Sequence, residues 1–140
     1  MVYAATVWHV DIELIEGWLL ALDEDSYAQV VAAIELLQQR GPSLGRPLVD
    51  TVKASRHKNM KELRPGSSGR SELRVLFAFD PSRQAIMLVA GDKAGNWKRW
   101  YKKSIPEADS LLDDRIRRLK TEESDGDGPE SGRRPREATR

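Results

Sequence analysis

The hydrophobic pattern changes period at Met60, and that change limits what the chain can become. Upstream, apolar residues recur at helical spacing. DIELIEGWLLAL sets Ile12, Ile15, Leu19 and Leu22 on one side, with Asp11 placed to cap. DEDSYAQVVAAIELLQQRG does the same with Tyr27, Val30, Val31, Ile34 and Leu37, and ends at Gly41-Pro42, where a helix stops. The short connection between these segments predicts two antiparallel helices, preceded by a brief strand over Thr6–Val10. Residues 42–59 carry further breakers and weak periodicity, which predicts an ordered connector.

Downstream of Met60, MKELRP, SELRVLFAFD and QAIMLVAGDK read as strands separated by the turn-rich PGSSGR and DPSR, an antiparallel meander. PGSSGR itself reads as a hairpin turn and not a phosphate cradle, because no helix follows it. In the middle strand Leu73, Val75, Phe77 and Phe79 share one face, so Arg74 projects from the other. Ser104-Ile105-Pro106-Glu107 matches a capping box and predicts a last helix carrying Ala108, Leu111, Leu112, Ile116 and Leu119. The expected order is β-α-α-β-β-β-α: an α+β domain with helices on one face of a small, mainly antiparallel sheet. The domain is expected to span residues 1–120. Residues 121–140 lack any aromatic or large aliphatic residue and read as a disordered charged tail.

Composition closes off several function classes. With no cysteine, and its only histidines, His9 and His57, far apart in sequence, the chain offers no metal-ligand spacing and no thiol chemistry. No Ser stands in a nucleophile-elbow setting. No apolar run approaches the roughly 18 residues of a membrane span, and Met1–Val10 lacks the basic start of a secretory signal, so a cytoplasmic protein without metal or cofactor is expected.

Charge points the other way, toward a polyanion. Residues 1–52 hold two basic and eight acidic side chains, whereas residues 53–103 hold thirteen and four, a net +9 concealed by an overall +1. Within that island Arg64, Arg74 and Lys93 lie at strand ends, and the stretch GDKAGNWKRWYKK adds Lys98, Arg99, Lys102 and Lys103 among Trp97, Trp100 and Tyr101. Any one of these cations could simply be solvated. Neighbouring strands would bring Arg64, Arg74 and Lys93 together, where fixed cations can clamp a phosphate. The aromatic residues fit packing under the last helix better than a base platform, with Tyr101 expected to be the one facing solvent.

The series KELR, LRVLFAFD, LVAGDK and KKSIP, within His57–Asp109, resembles the RelE/ParE superfamily of bacterial toxins, in its HigB-like, phage-derived branch. The resemblance extends over about residues 6–119. It implies the toxin of a type II toxin–antitoxin system, a ribosome-dependent mRNA endonuclease neutralised by a helix-turn-helix antitoxin. Its chemistry would be metal-free: the RNA 2′-hydroxyl attacks the adjacent phosphate. Carried over, the resemblance casts Arg74, Lys93 and Tyr101 as catalytic and Arg64 as a supporting phosphate contact; His57, Lys98, Arg99, Lys102 and Lys103 are expected to bind RNA with Arg64. The general base stays open among Asp92, Lys93, Lys98 and His57. Two alternatives also stay open: a ParE-like inhibitor of DNA gyrase, and an RNA-binding protein that does not cleave.

Overall fold

A computed structural model describes residues 7–66 and 69–126. Strand β1 (Val10–Asp11) leads through a 3₁₀ turn (Glu13–Ile15) into helices α1 (Glu16–Leu20) and α2 (Glu24–Arg40). After a second 3₁₀ turn (Gly41–Ser43) come β2 (Val49–Thr51), β3 (Lys61–Leu63), β4 (Leu73–Phe79), β5 (Ala85–Asp92) and helix α3 (Trp97–Gly126). The strands form one five-stranded sheet in the order β1-β5-β4-β3-β2. Its β2–β3, β3–β4 and β4–β5 pairings are antiparallel, and β1 joins β5 in parallel. The class is α+β and the sheet is mainly antiparallel, as the change of period predicts.

The first helical segment is shorter than its pattern. Asp11 Oδ1 accepts the Glu13 N–H at 2.9 Å and starts a 3₁₀ turn, which passes into the five residues of α1. Asp23 caps α2 by accepting the Ser26 N–H at 3.1 Å. Gly41 ends that helix at φ 56°, and a Cβ there would collide with the Trp8 indole. The first strand is also shorter than Thr6–Val10. Thr6 lies outside the described residues, and the Trp8 N–H donates to the Gln38 carbonyl of α2 at 2.8 Å, not to a strand.

Placing helices on one face of the sheet holds for α1 and α2 alone; α3 covers the second face. Both sides of β4 are apolar, and each must be hidden from water. Leu73, Val75 and Phe77, with Met87 of β5, pack against Ile15, Leu19, Val30, Ile34 and Leu37. Leu76 and Ala78, with Ile86 and Leu88, pack against Ile105, Ala108 and Leu112 of α3. A β-bulge adjusts the second layer: Leu76 pairs with Val89 and Phe77 with Met87, leaving Leu88 as the extra residue. Leu88 and Val89 consequently both join the α3 side.

Two more elements depart from the sequence reading. Strand β2 lies within the stretch expected to be a connector, where three residues are too few to show alternation. Helix α3 begins at Trp97, not at Ser104, so the basic stretch is helix and Pro106 sits inside it. Trp97, Trp100, Tyr101, Ser104, Ile105 and Ala108 recur at helical spacing, and burial of Ile105 and Ala108 outweighs the backbone bond lost at Pro106. The helix also continues to Gly126, into the segment read as a tail. Thr121 Oγ1 donates to the Arg117 carbonyl at 3.1 Å there, and residues 127–140 lie outside the described ones. No described helix is long and apolar enough to cross a membrane.

Arg115 locks α3 to the sheet. Its guanidinium meets Asp80 at 3.1 Å, Asp11 at 3.1 Å and Gln84 Oε1 at 3.1 Å, joining α3, β1 and the β4–β5 turn. The Asp80 side chain is 0% exposed and also accepts the Ser82 and Gln84 N–H groups. Arg115→Met, which keeps the stem and removes the charge, is expected to cost about 3 kcal/mol by stranding a buried carboxylate. A urea midpoint unchanged from the parent would contradict this role.

Candidate functional site

Strand register assembles a charged cluster on the α3 face of the sheet. Asp50 pairs with Glu62 and Glu62 with Leu76, so these three lie in one cross-strand row. Arg64 and Arg74, each two residues along its strand from that row, share the face. Glu62 is 3% exposed. Its Oε1 accepts the Arg64 Nε–H at 2.9 Å and lies 3.9 Å from Arg74 Nε, while Arg64 Nη2 reaches Asp50 at 3.2 Å. Glu62 Oε2 and Arg74 Nε are both buried without a hydrogen-bond partner. The neighbouring Glu62 carboxylate raises the Arg64 pKa above its ordinary value.

Tyr101 comes down on this cluster from the second turn of α3. Gly91 makes the approach possible, since a Cβ there would stand 2.3 Å from Trp100 Nε1. Burial first, and the Glu62 carboxylate second, push the Tyr101 phenol up to about 12, against an opposing pull from Arg74. The phenol is therefore a proton donor throughout the neutral range. Lys93 Nζ lies 5.4 Å from the centre of the Tyr101 ring and 3.8 Å from Glu72. Asp92 Oδ1 shapes the turn between β5 and α3 by accepting the Glu72 and Ala94 N–H groups, each at 2.9 Å.

Glu62, Arg64, Lys93, Trp97 and Tyr101 line a cleft of about 690 Å³, and Arg74 pairs with its Glu62 floor. A second groove of about 490 Å³ shares Ala54, Tyr101 and Ile105 with it and continues along α3 past Arg56 and Lys102. A cleft of about 750 Å³ lies elsewhere, between Leu14 and the Arg115–Glu122 stretch. We place the site in the first cleft because Arg115 in the larger one is committed to Asp11 and Asp80.

Of the expected residues, Arg64, Arg74, Lys93 and Tyr101 converge here. Lys98 reaches Trp97 at the rim, 5.5 Å from its ring centre, and Lys102 lines the adjoining groove. Arg99 and Lys103 occupy the other side of the helix, two residues from Tyr101 and so about 200° away. Lys103 lines a separate cleft with Leu14 and Trp18. His57 is held about three turns further along α3, its Nε2 2.8 Å from Asp113 Oδ1. Hydrogen bonds from Arg56 and then His57 hold the Asp113 carboxyl below its ordinary range. The exposed ring is Trp97, 55% exposed, whereas Tyr101 is half-buried, because helical spacing turns Tyr101 toward the sheet. Glu62 is the residue the sequence reading missed. The signal was its place on the Met60 face of MKELRP, a face that proves to be buried.

The family described as "Phage derived protein Gp49-like (DUF891)" matches residues 17–113, well over half the chain. The chain belongs to this family. "Putative toxin HigB2" of Mycobacterium tuberculosis is 63% identical over 105 residues, 75% of this chain and 52% of that protein. "Putative toxin HigB3" of the same organism is 58% identical over 95 residues, 68% of this chain and 81% of that protein. The chain thus spans about half the length of the first relative and most of the second. These matches bear out the HigB-like resemblance. No solved structure matches the chain.

The Tyr101 environment has a consequence at alkaline pH. A phenol whose folded pKa lies above its unfolded value adds stability that is fully present below about pH 10 and is lost as pH rises toward 12. Spectrophotometric titration is expected to show one phenol ionising about two units late, absent from Tyr101→Phe. If that variant leaves the late phase intact, Tyr101 is not the group held neutral.

Proposed function

We propose that this chain is the toxin of a type II toxin–antitoxin pair and an endoribonuclease that cuts mRNA on the ribosome. The names of the HigB relatives support the toxin half. The observation that carries the nuclease half is a phenol, a guanidinium, an ammonium and a buried carboxylate lining one cleft, with a second guanidinium, Arg74, beside that carboxylate. Acid, base and anion stabiliser are the groups that transesterification of RNA requires.

In this reading a phosphate seats between Arg64, Arg74 and Lys93. Glu62 Oε2, which has no partner, takes the proton of the ribose 2′-hydroxyl. The 2′-oxygen forms a bond to phosphorus and the bond to the 5′-oxygen breaks, leaving a 2′,3′-cyclic phosphate. Tyr101 delivers its proton to the departing 5′-oxygen, a role suited to a phenol that stays protonated at neutral pH. Arg74 and Arg64 meet the charge that builds on the non-bridging oxygens, a contribution worth several kcal/mol for a preorganised donor. Glu62 takes the place of general base because Asp92 is committed to its turn and His57 to Asp113. The partner that restrains this activity would be a helix-turn-helix antitoxin, and no step calls for a metal.

Induction without antitoxin, with mapping of mRNA 5′ ends, tests the reading. The parent chain is expected to stop translation and create new 5′ ends. Arg74→Ala and Glu62→Gln are expected to lose both effects, and Tyr101→Phe to slow cleavage by roughly 10² while ribosome affinity holds. Variants that remain soluble and bind antitoxin confirm that the loss is chemical. Replication arrest ahead of translation, with unchanged 5′ ends, would give the assignment to a gyrase inhibitor.

A further inference from the structure

The three aromatic residues at the start of α3 have unequal surroundings. Trp100 seals against Gly91, and Tyr101 lies over Glu62 and Arg74. Trp97 keeps 55% of its surface in water at the first position of the helix. Packing does not account for an indole at that point, since the core beneath α3 is closed by Ile105, Ala108 and Leu112. Yet the ring is held: it meets Tyr101 edge-on at 6.5 Å and 71°, and Lys98 Nζ stands 5.5 Å from its centre. It also lines the cleft that contains Lys93 and Arg64.

We propose that Trp97 is a stacking platform for one unpaired RNA base, set so that the adjoining phosphate reaches Arg64, Arg74 and Lys93. The inference deepens the nuclease reading and rests on it for the class of substrate. A large exposed aromatic ring between cations selects a planar group carrying negative charge beside it, which is the chemistry of a nucleotide. The base must be single-stranded, because a paired base keeps both faces inside its own helix. Trp97 is here a positioning residue: it touches the substrate's base, not the reacting phosphorus. Its T-shaped contact with Tyr101 couples the seated base to the phenol that faces the phosphate.

The test needs neither ribosome nor cleavage. A 2′-O-methyl RNA hexamer has no free 2′-hydroxyl and stays intact, and its binding to the purified full chain is read by fluorescence polarisation. Trp97→Ala is expected to weaken binding by roughly tenfold or more, the worth of one base–aromatic stack, and Trp97→Phe by less. On an abasic oligomer of the same length, the parent and Trp97→Ala are expected to bind alike, and an RNA duplex to compete equally well against both. An unchanged melting temperature for Trp97→Ala shows that the ring is not structural. Equal hexamer binding by the parent and Trp97→Ala overturns the proposal, as does an equal loss on the abasic oligomer or no hexamer binding by the parent. Should the Trp97 pattern hold while Arg74→Ala still cleaves, the platform survives and the catalytic assignment falls.

Discussion

The Glu62 carboxylate governs the cluster. A carboxylate 3% exposed beneath a helix would cost several kcal/mol if it stood alone, so it must draw cations to it. Arg64 bonds to one of its oxygens and Arg74 stands near the same one, and both guanidiniums are thereby fixed beside one carboxylate. Burial first, and the same negative charge second, push the pKa of the phenol above it upward. A single acidic residue on the sheet face thus holds two cations beside the phenol of Tyr101. Its Oε2 and the Arg74 Nε, an ion-pair partner of its Oε1, are buried without a hydrogen bond.

Coverage of the sheet decides where such a cluster can form. Helix α3 has to hide Leu76, Ala78, Ile86 and Leu88, and its axis is fixed by Ile105, Ala108 and Leu112. Extending that axis two turns toward its start brings Tyr101 over the polar end of the same face and leaves Trp97 at the rim. Gly91 is the local concession, giving Trp100 room to sit against β5. At the far end Arg115 ties the helix to the β4–β5 turn.

Much of this was legible in the sequence because it rests on period. Alternation in β4 put Arg74 on the face opposite the phenylalanines, and the change at Met60 separated helices from strands. Charge and strand position single out Arg64, Arg74 and Lys93, the family resemblance adds Tyr101, and the fold brings the four together. What escaped depends on non-local contacts. Three residues of β2 carry no period, and the parallel pairing of β1 with β5 is invisible locally. The capping box at Ser104 was a sound local signal, but burial of Ser104 and Ile105 inside a longer helix overrode it. Arg99 and Lys103 looked equivalent to Lys98 and Lys102 until the stretch proved helical, when spacing alone sends them to another side. Glu62 was passed over because a charge in a strand reads as solvent-facing until a helix is known to cover it.

The basic island keeps its excess because its few acidic residues are spent on architecture. Of the four acids in residues 53–103, Glu62 holds Arg64 beside Arg74, Asp80 builds a turn and pairs with Arg115, and Asp92 accepts two backbone N–H groups. Glu72 alone pairs with a rim cation, Lys93, at 3.8 Å with its own side chain half in water, a contact that a phosphate can displace at little cost. Lys98, Arg99 and Lys102 have no ion-pair partner among the described residues. Beyond the island, Asp109 and Asp113 of α3 hold the backbone of Arg56 and the side chains of Ser55, Arg56 and His57 along the adjoining groove. Asp92, Asp109 and Asp113 therefore shape loops beside the cleft and its adjoining groove, Glu62 holds Arg64 beside Arg74, and Lys98 and Lys102 are left without an ion pair among the described residues along the same edge.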